Sequence, residues 1–342
     1  MRKVLVAGAA FAATCLSAVA VPAGAQADPP APVLTDARTS STTASAPTAG
    51  APSPRADSSV VSARAVIVTP KPPRQRTYAY GRHPRQRVDV YWRAPAKPKK
   101  GQKAQKQQAR PGVLLLHGGS WRKGSRTGWK YFARRLTTQG FTVFAADYRL
   151  SGMAHWPAQR NDAQAALGFV KKHAKTWNVD PKRLVVVGAS AGGQLATQLG
   201  TAGTGSGQVR GVVALSPVNT PYLAYQDGSA ATATPSQGSL RGAVVKLLGC
   251  VPSQTSPACW DLVDDANSAA HATPGDAPML LIHSAGDFVP VTQSTGLASA
   301  LRAVGVPVTV RTVPGDLHGN ALLNDETVYP AMLSWIKSRT KP

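Results

Sequence analysis

The sequence predicts an α/β fold: a mostly parallel central sheet with helices on both faces. From Pro111 onward, short β-branched apolar runs alternate with segments whose apolar residues recur at helical spacing. Continuously apolar strands are typical of parallel sheets that helices cover on both sides. The region 71–342 has a size common for one such domain.

The expected elements follow one another regularly along the chain. A half-buried strand is expected at 87–95, where apolar and polar residues alternate. Buried strands are expected at 112–119, 141–150, 183–190, 209–217, 278–287 and 306–315, and helices at 128–140, 159–177, 192–200, 292–305 and 325–340. The stretch 219–278 breaks the alternation, and we expect it to be a small insertion that covers the active site.

The N-terminal 70 residues differ from this pattern. Arg2 and Lys3 precede an apolar run, and small residues ending in Ala27 follow it, so residues 1–27 are predicted to be a secretory signal peptide. A membrane anchor is the alternative, but the apolar run is short for a span of about 20 residues. Residues 28–70 are rich in Ala, Pro, Ser and Thr and are predicted to be a disordered linker. The mature protein is therefore expected outside the cell, free of the membrane.

Export also determines how the three cysteines are interpreted. Cys15 leaves with the signal peptide, and Cys250 and Cys259 remain as an even pair. In an oxidising compartment, two cysteines nine residues apart are expected to form a disulfide.

The formal net charge of +23 is concentrated near the start of the domain. Residues 71–110 contain 13 lysines and arginines against one acid, Asp89. We favour strands joined by a solvated loop that aids solubility; weak electrostatic contact with anionic wall polymers is the alternative. Specific nucleic-acid binding is not expected, because no aromatic residues interleave the loop for base stacking.

A G-x-S-x-G pattern, Gly188-Ala189-Ser190-Ala191-Gly192, lies where a predicted strand meets a predicted helix. This context is the one in which such a serine serves as a nucleophile on a tight turn. An ordinary glycine-rich turn is the alternative. We predict that Ser190 is the nucleophile.

A serine hydroxyl needs a base, and the base needs an orienting acid. His318 comes just after the last predicted strand, at the same edge of the sheet as Ser190, and Asp287 follows the preceding strand. Asp316 competes with Asp287, but two residues from His318 it is better suited to stabilising the loop. His283 falls inside a strand and is expected to be a core residue with satisfied hydrogen bonds.

The chain contains five short motifs in this order: "HGGSW" at 117–121, "DYRL" at 147–150, "GASAGG" at 188–193, "GDFVP" at 286–290 and "LHG" at 317–319. With these motifs it resembles serine esterases of the α/β-hydrolase superfamily. Within it, the nearest group has an HGG-x-W loop and includes carboxylesterases, acetylxylan and feruloyl esterases, and kynurenine formamidases. The resemblance implies the α/β-hydrolase fold and a Ser190–His318–Asp287 triad.

The resemblance also implies an oxyanion hole formed by the backbone N–H groups of Gly119, Ser120 and Ala191. Asp147, Tyr148, Arg149 and Asp162 are expected to form the buried framework around the site. Trp121 and Trp260 are candidate substrate-binding residues, with core packing as the alternative. No metal or organic cofactor is expected, since the sequence lacks H-E-x-x-H, clustered Cys and His residues, and G-x-x-x-x-G-K.

The expected function is hydrolysis of small or polysaccharide-linked carboxylic esters through an acyl-enzyme. An acyltransferase, or an amidase or peptidase, would use the same triad. A basic wall-polymer-binding protein on a hydrolase scaffold is the non-enzyme alternative.

Overall fold

The structure is a computed structural model that describes residues 71–94, 108–201, 205–253 and 256–342. The predicted signal peptide, the predicted linker and the part of the basic loop at 95–107 lie outside the described residues.

Eight strands form one sheet in the order β1-β2-β4-β3-β5-β6-β7-β8. β1 and β2 pair antiparallel to their neighbours, and the other six strands run parallel. The strands are β1 (Arg74–Ala79), β2 (Arg87–Trp92), β3 (Arg110–Leu116), β4 (Thr142–Ala146), β5 (Val179–Ala189), β6 (Gly211–Leu215), β7 (Met279–Ser284) and β8 (Val308–Val313). The predicted α/β class and the α/β-hydrolase fold are confirmed.

Among the described residues, eight α-helices lie between successive strands, and a ninth follows the last strand. They are α1 (Lys130–Thr138), α2 (Ala158–Lys172), α3 (Ala191–Thr201), α4 (Gly205–Gln208), α5 (Pro221–Asp227), α6 (Pro235–Leu248), α7 (Pro257–Ala266), α8 (Thr292–Ala303) and α9 (Val328–Arg339). Each of the five helices predicted from periodicity is present, with boundaries shifted by a few residues. No helix in the described part of the chain has the length and apolar character needed to cross a bilayer.

The sheet separates two apolar cores because side chains point alternately to its two faces. Leu114 and Leu116 of β3 belong to the core shared with α2 and α3, whereas Val113 and Leu115 belong to the core on the opposite face. All four side chains are fully buried. This explains why the central strands are apolar at every position.

The predicted insertion contains three helices that were not predicted, α5, α6 and α7. Each of the three begins with proline, a residue that suits the first helical turn because its missing N–H is not needed there. That signal was available in the sequence. The expected disulfide is present and joins Cys250, just after α6, to Cys259 in α7, with Cα atoms 5.9 Å apart.

Candidate active site

The predicted site residues lie in four loops at one edge of the sheet. His117 to Ser120 follow β3, Ser190 follows β5, Asp287 follows β7, and His318 follows β8. Parallel strands place their carboxyl ends on the same side, which is where ligands bind in open α/β sheets. The topology therefore brings together residues that are up to 201 positions apart in sequence.

Ser190 occupies a sharp turn between β5 and α3. Its φ is +53°, a left-handed conformation that non-glycine residues rarely adopt. A Cβ on Gly188 would lie 2.0 Å from the carbonyl oxygen of Gly192, and one on Gly192 would lie 2.3 Å from that of Leu116. The glycines of the motif are thus required by close backbone contact, and the turn presents Ser190 above the sheet.

His318 and Asp287 are in direct contact. Nδ1 of His318 lies 2.8 Å from Oδ1 and 3.1 Å from Oδ2 of Asp287, whose side chain is fully buried. Asp287 Oδ1 also accepts a hydrogen bond from the backbone N–H of Val289. Because a carboxylate only accepts, Nδ1 carries the proton, and Nε2 of the neutral ring is the free acceptor.

Two serines hold the backbone on either side of His318. Ser216 Oγ accepts a hydrogen bond from the N–H of Gly319 at 3.0 Å, and Ser284 Oγ donates to the carbonyl of Leu317 at 2.8 Å. Both serines are buried, and Ser216 has a positive φ of 47°. Neither serine was predicted as a site residue; their position at the carboxyl ends of β6 and β7 is the signal that the sequence contains.

The loop after β3 presents the predicted oxyanion donors. Within the described residues, the backbone N–H groups of Gly119 and Ser120 have no hydrogen-bond acceptor. Ala191 is the first residue of α3, so its N–H has no partner inside the helix. Gly119, Ser120 and Trp121 all have positive φ values, and a Cβ on Gly119 would lie 2.3 Å from the carbonyl oxygen of Lys123. These backbone conformations define the shape of the loop.

A buried polar network supports this loop. Nδ1 of His117 donates to the carbonyl of Gly118 at 2.8 Å, and its ring stacks on Tyr148 with centroids 4.3 Å apart. Burial lowers the pKa of His117 to about 4, so the ring is neutral near pH 7. Its Nε2 then accepts from Arg85 at 3.3 Å, and Arg85 also donates to the carbonyl of Gly124.

The expected framework residues lie in the same region. Tyr148 donates its hydroxyl hydrogen bond to the carbonyl of His117, Asp147 pairs with Arg126, and Arg149 pairs with Asp162 at 2.7 Å. Arg85 belongs to the basic 71–110 segment. At least this arginine is therefore part of the support of the loop, a role that counting charges did not reveal.

A cavity of about 720 Å³ opens at this edge of the sheet. Ser190, His318, Gly119 and Ser120 line it. Ala191 lies beneath, fully buried.

The two tryptophans proposed for substrate binding lie elsewhere. Trp121 is fully buried, is not part of the cavity wall, and donates its indole N–H to Gln194. Trp260 packs against Tyr222 and donates to the carbonyl of Ser253, also outside the wall. The structure thus gives both residues packing contacts, the alternative considered for them.

The arrangement is suited to acyl transfer. A hydroxyl on a strained turn, an imidazole held at Nδ1 by a carboxylate, and backbone N–H donors without a partner in the described part of the chain line one cavity. Within the described segments, no three His, Cys, Asp or Glu side chains are grouped so that they could hold a metal ion.

Similarity to known proteins agrees with this geometry. The BD-FAE protein-family model matches residues 101–301, more than half of the chain. Esterase LipC of Mycobacterium tuberculosis is 28% identical over 267 residues, which cover 75% of this chain and 62% of LipC. The chain thus spans less than two thirds of this curated relative.

Solved structures show the same fold. An acetyl ester-xyloside bifunctional hydrolase from Caldicellulosiruptor lactoaceticus has a TM-score of 0.60 at 21% identity, over 79% of this chain and 98% of that one. EstE1, a carboxylesterase cloned from a metagenomic library, has a TM-score of 0.59 at 25% identity, over 75% and 85% of the two chains. The chain belongs to the BD-FAE family and has the α/β-hydrolase fold of these esterases.

Proposed function

We propose that the protein is a secreted serine hydrolase that cleaves carboxylic esters. The observation that carries this proposal is the contact of His318 Nδ1 with the buried Asp287, at a cavity that His318 and Ser190 both line. A buried carboxylate on one ring nitrogen leaves the other nitrogen able to take a proton from a hydroxyl.

The first half of the reaction acylates the enzyme. Ser190 Oγ attacks the ester carbonyl carbon while His318 Nε2 takes the hydroxyl proton, so that a tetrahedral oxyanion forms. When it collapses, the bond to the alcohol oxygen breaks, and His318 returns its proton to that oxygen. The products are the free alcohol and an ester of Ser190.

The second half releases the acid. His318 takes a proton from a water molecule, whose oxygen attacks the acyl carbon, and the bond to Ser190 Oγ breaks as the proton passes to Oγ. The unpaired N–H groups of Gly119, Ser120 and Ala191 would stabilise both oxyanions. One such donor contributes about 2.7–4 kcal/mol in a related case.

The relatives support ester substrates. LipC is named an esterase, and EstE1 is named a carboxylesterase. The hydrolase from Caldicellulosiruptor lactoaceticus is named for acetyl esters and xylosides. We extend the proposal to small soluble esters and to esters carried on polysaccharide, which an exported enzyme meets outside the cell.

Turnover of 4-nitrophenyl acetate and butyrate tests the activity. We expect steady hydrolysis by the wild type and loss of at least about 10³-fold in Ser190→Ala. Ser338→Ala, in the exposed part of α9, is the matched control and should retain wild-type rates. A folded wild-type protein without turnover would refute the proposal.

Two further measurements separate the remaining alternatives. Product analysis with an added acceptor alcohol distinguishes hydrolysis, which yields the free acid, from acyl transfer, which yields a new ester. N-terminal sequencing of protein recovered from the medium tests export. We expect the first residue to be Asp28, and retention of residues 1–27 would contradict cleavage.

A further inference from the structure

The charged side chains on the wall of the active-site cavity are cationic. Arg122 and Lys123, in the loop after β3, line the cavity together with Ser190 and His318. No aspartate or glutamate is among the described residues that line it. Asp287, the acid beside the base, is fully buried and bonded to His318, so its oxygens are not exposed to a ligand in the cavity.

Arg122 is positioned on the wall by the insertion. Its Nη2 donates a hydrogen bond to Ser239 Oγ at 2.8 Å, and Ser239 on α6 lines the same cavity. Within the described part of the chain, neither Arg122 nor Lys123 forms an ion pair. A guanidinium uses several N–H donors in a planar fork, so one bond to a hydroxyl leaves others for a ligand.

The rest of the wall combines polar side chains with apolar surface. Hydroxyl and amide side chains predominate around the cations: Ser120, Ser125, Thr127, Ser236, Ser239 and Asn320. Apolar surface makes up at least as much of the wall and comes from residues such as Trp129 and Phe288, whose ring centroid lies 4.3 Å from that of His318. Such a wall offers hydrogen bonds and positive charge at some distance from the reacting serine.

We infer that the enzyme prefers esters that carry a carboxylate, which binds Arg122 and Lys123 while the ester carbonyl lies at Ser190. This inference rests on the proposed esterase function and narrows its substrate class. Charge-assisted hydrogen bonds from arginine to a carboxylate are among the strong polar contacts in proteins. The basic net charge, which stays strongly positive after the loss of Arg2 and Lys3 with the signal peptide, would also attract anionic substrates over longer distances.

Matched ester pairs test the preference. In the first pair, mono-4-nitrophenyl adipate carries a carboxylate on the acyl side and is compared with its neutral methyl ester. In the second pair, 3-acetoxybenzoate carries the carboxylate on the alcohol side and is compared with neutral 3-acetoxybenzamide. Each kcat/KM is divided by the rate of the same ester in hydroxide to remove intrinsic reactivity. We expect at least one pair to favour the anion about tenfold, and the favoured pair identifies the side that faces Arg122.

Charge substitutions test the residues. Arg122→Gln should lower the anion-to-neutral ratio about tenfold through KM, Lys123→Gln should lower it less, and Arg122→Lys should retain most of it. Lys175, in the short helix Ala174–Trp177, is exposed and does not line the cavity, so Lys175→Gln should not change the ratio. Raising the salt concentration should reduce the ratio in the wild type.

The outcomes separate this inference from the proposed function. Turnover of neutral esters with a ratio of one or less in both pairs, or a ratio that Arg122→Gln leaves unchanged, would refute the preference but not the esterase. A folded protein that hydrolyses none of the four esters would refute both.

Discussion

Ser216 Oγ accepts a hydrogen bond from the backbone N–H of Gly319 at 3.0 Å, immediately after the predicted base His318. On the other side of that histidine, Ser284 Oγ donates to the carbonyl of Leu317 at 2.8 Å. The backbone that carries His318 is therefore held by two buried hydroxyls at the ends of neighbouring strands. We regard Ser216 and Ser284 as positioning residues for the imidazole.

Replacing either serine should impair the reaction more than substrate binding. We expect Ser216→Ala and Ser284→Ala each to lower kcat about 10- to 100-fold with little change in KM, because small displacements of a reacting group are costly. The acid limb of the pH profile of kcat/KM should also shift, since the contact with Asp287 changes. If the variants lose stability but keep kcat and the pH profile, the two hydroxyls act only in folding.

Asp287 and Asp316 provide a matched pair of acid substitutions. Asp287→Asn should lower kcat about 10⁴-fold, because an amide facing Nδ1 permits the wrong ring tautomer. Asp316, the competing acid in the sequence, is exposed, and we expect Asp316→Asn to keep kcat within about twofold of the wild type. Steady-state kinetics decides between them, and the reverse order of effects would assign the orienting role to Asp316.

Glycine substitutions test how closely the turn is packed. In Gly192→Ala the new Cβ would lie 2.3 Å from the carbonyl oxygen of Leu116, so we expect a loss of about 3 kcal/mol or more in the free energy of unfolding. Gly296 is exposed in α8, where an added Cβ would have no neighbouring atom within 4 Å, and Gly296→Ala should instead stabilise by about 1 kcal/mol. Urea unfolding of both variants measures the difference; equal effects would contradict the packing argument.

His283 should make stability depend on pH. Nδ1 of this buried ring donates to the carbonyl of Val289 and Nε2 accepts from Ser294, and burial lowers its pKa to about 4. The unfolded chain binds a proton on this histidine below about pH 6.5, whereas the folded chain binds it only near pH 4. The contribution of neutral His283 to the free energy of unfolding is therefore present in full above pH 6.5 and is lost as the pH falls towards 4. The slope for one such proton is about 1.4 kcal/mol per pH unit.

The variant His283→Gln removes this proton from the unfolded chain. Urea unfolding between about pH 7.5 and 4.5 should therefore show a smaller acid-side slope in the variant than in the wild type, whatever its absolute stability. His117, whose pKa burial also lowers to about 4, supplies a remaining slope. An unchanged slope in His283→Gln would exclude His283 as a source of the acid sensitivity.

Much of the fold follows from local sequence patterns. The central strands are apolar at every position because both faces of the sheet are covered, and the helices keep an apolar stripe. The G-x-S-x-G motif is recognisable because backbone contacts at Gly188 and Gly192 exclude any side chain. Asp287 and His318 were identified because each follows a strand whose end the topology places beside Ser190.

Other features depend on contacts that no local pattern contains. Arg85 supports the loop after β3 from a segment whose charge predicted a solvated loop or contact with anionic wall polymers. Arg122 pairs with Ser239 of the insertion, 117 residues further along the chain. Trp121 is buried rather than in the cavity wall, in a loop whose residues 119–121 all have positive φ values. Such placements are set by tertiary packing.

The central claim is that Ser190 is an activated nucleophile, and covalent labelling tests it most directly. The label is diethyl 4-nitrophenyl phosphate: the serine oxygen attacks its phosphorus atom, and 4-nitrophenolate leaves. We predict one nitrophenolate released per chain and, by peptide mass mapping, the diethylphosphoryl group on Ser190, with no label on the Ser190→Ala variant. A label on another residue, or a folded wild-type protein that stays unlabelled, would contradict the account.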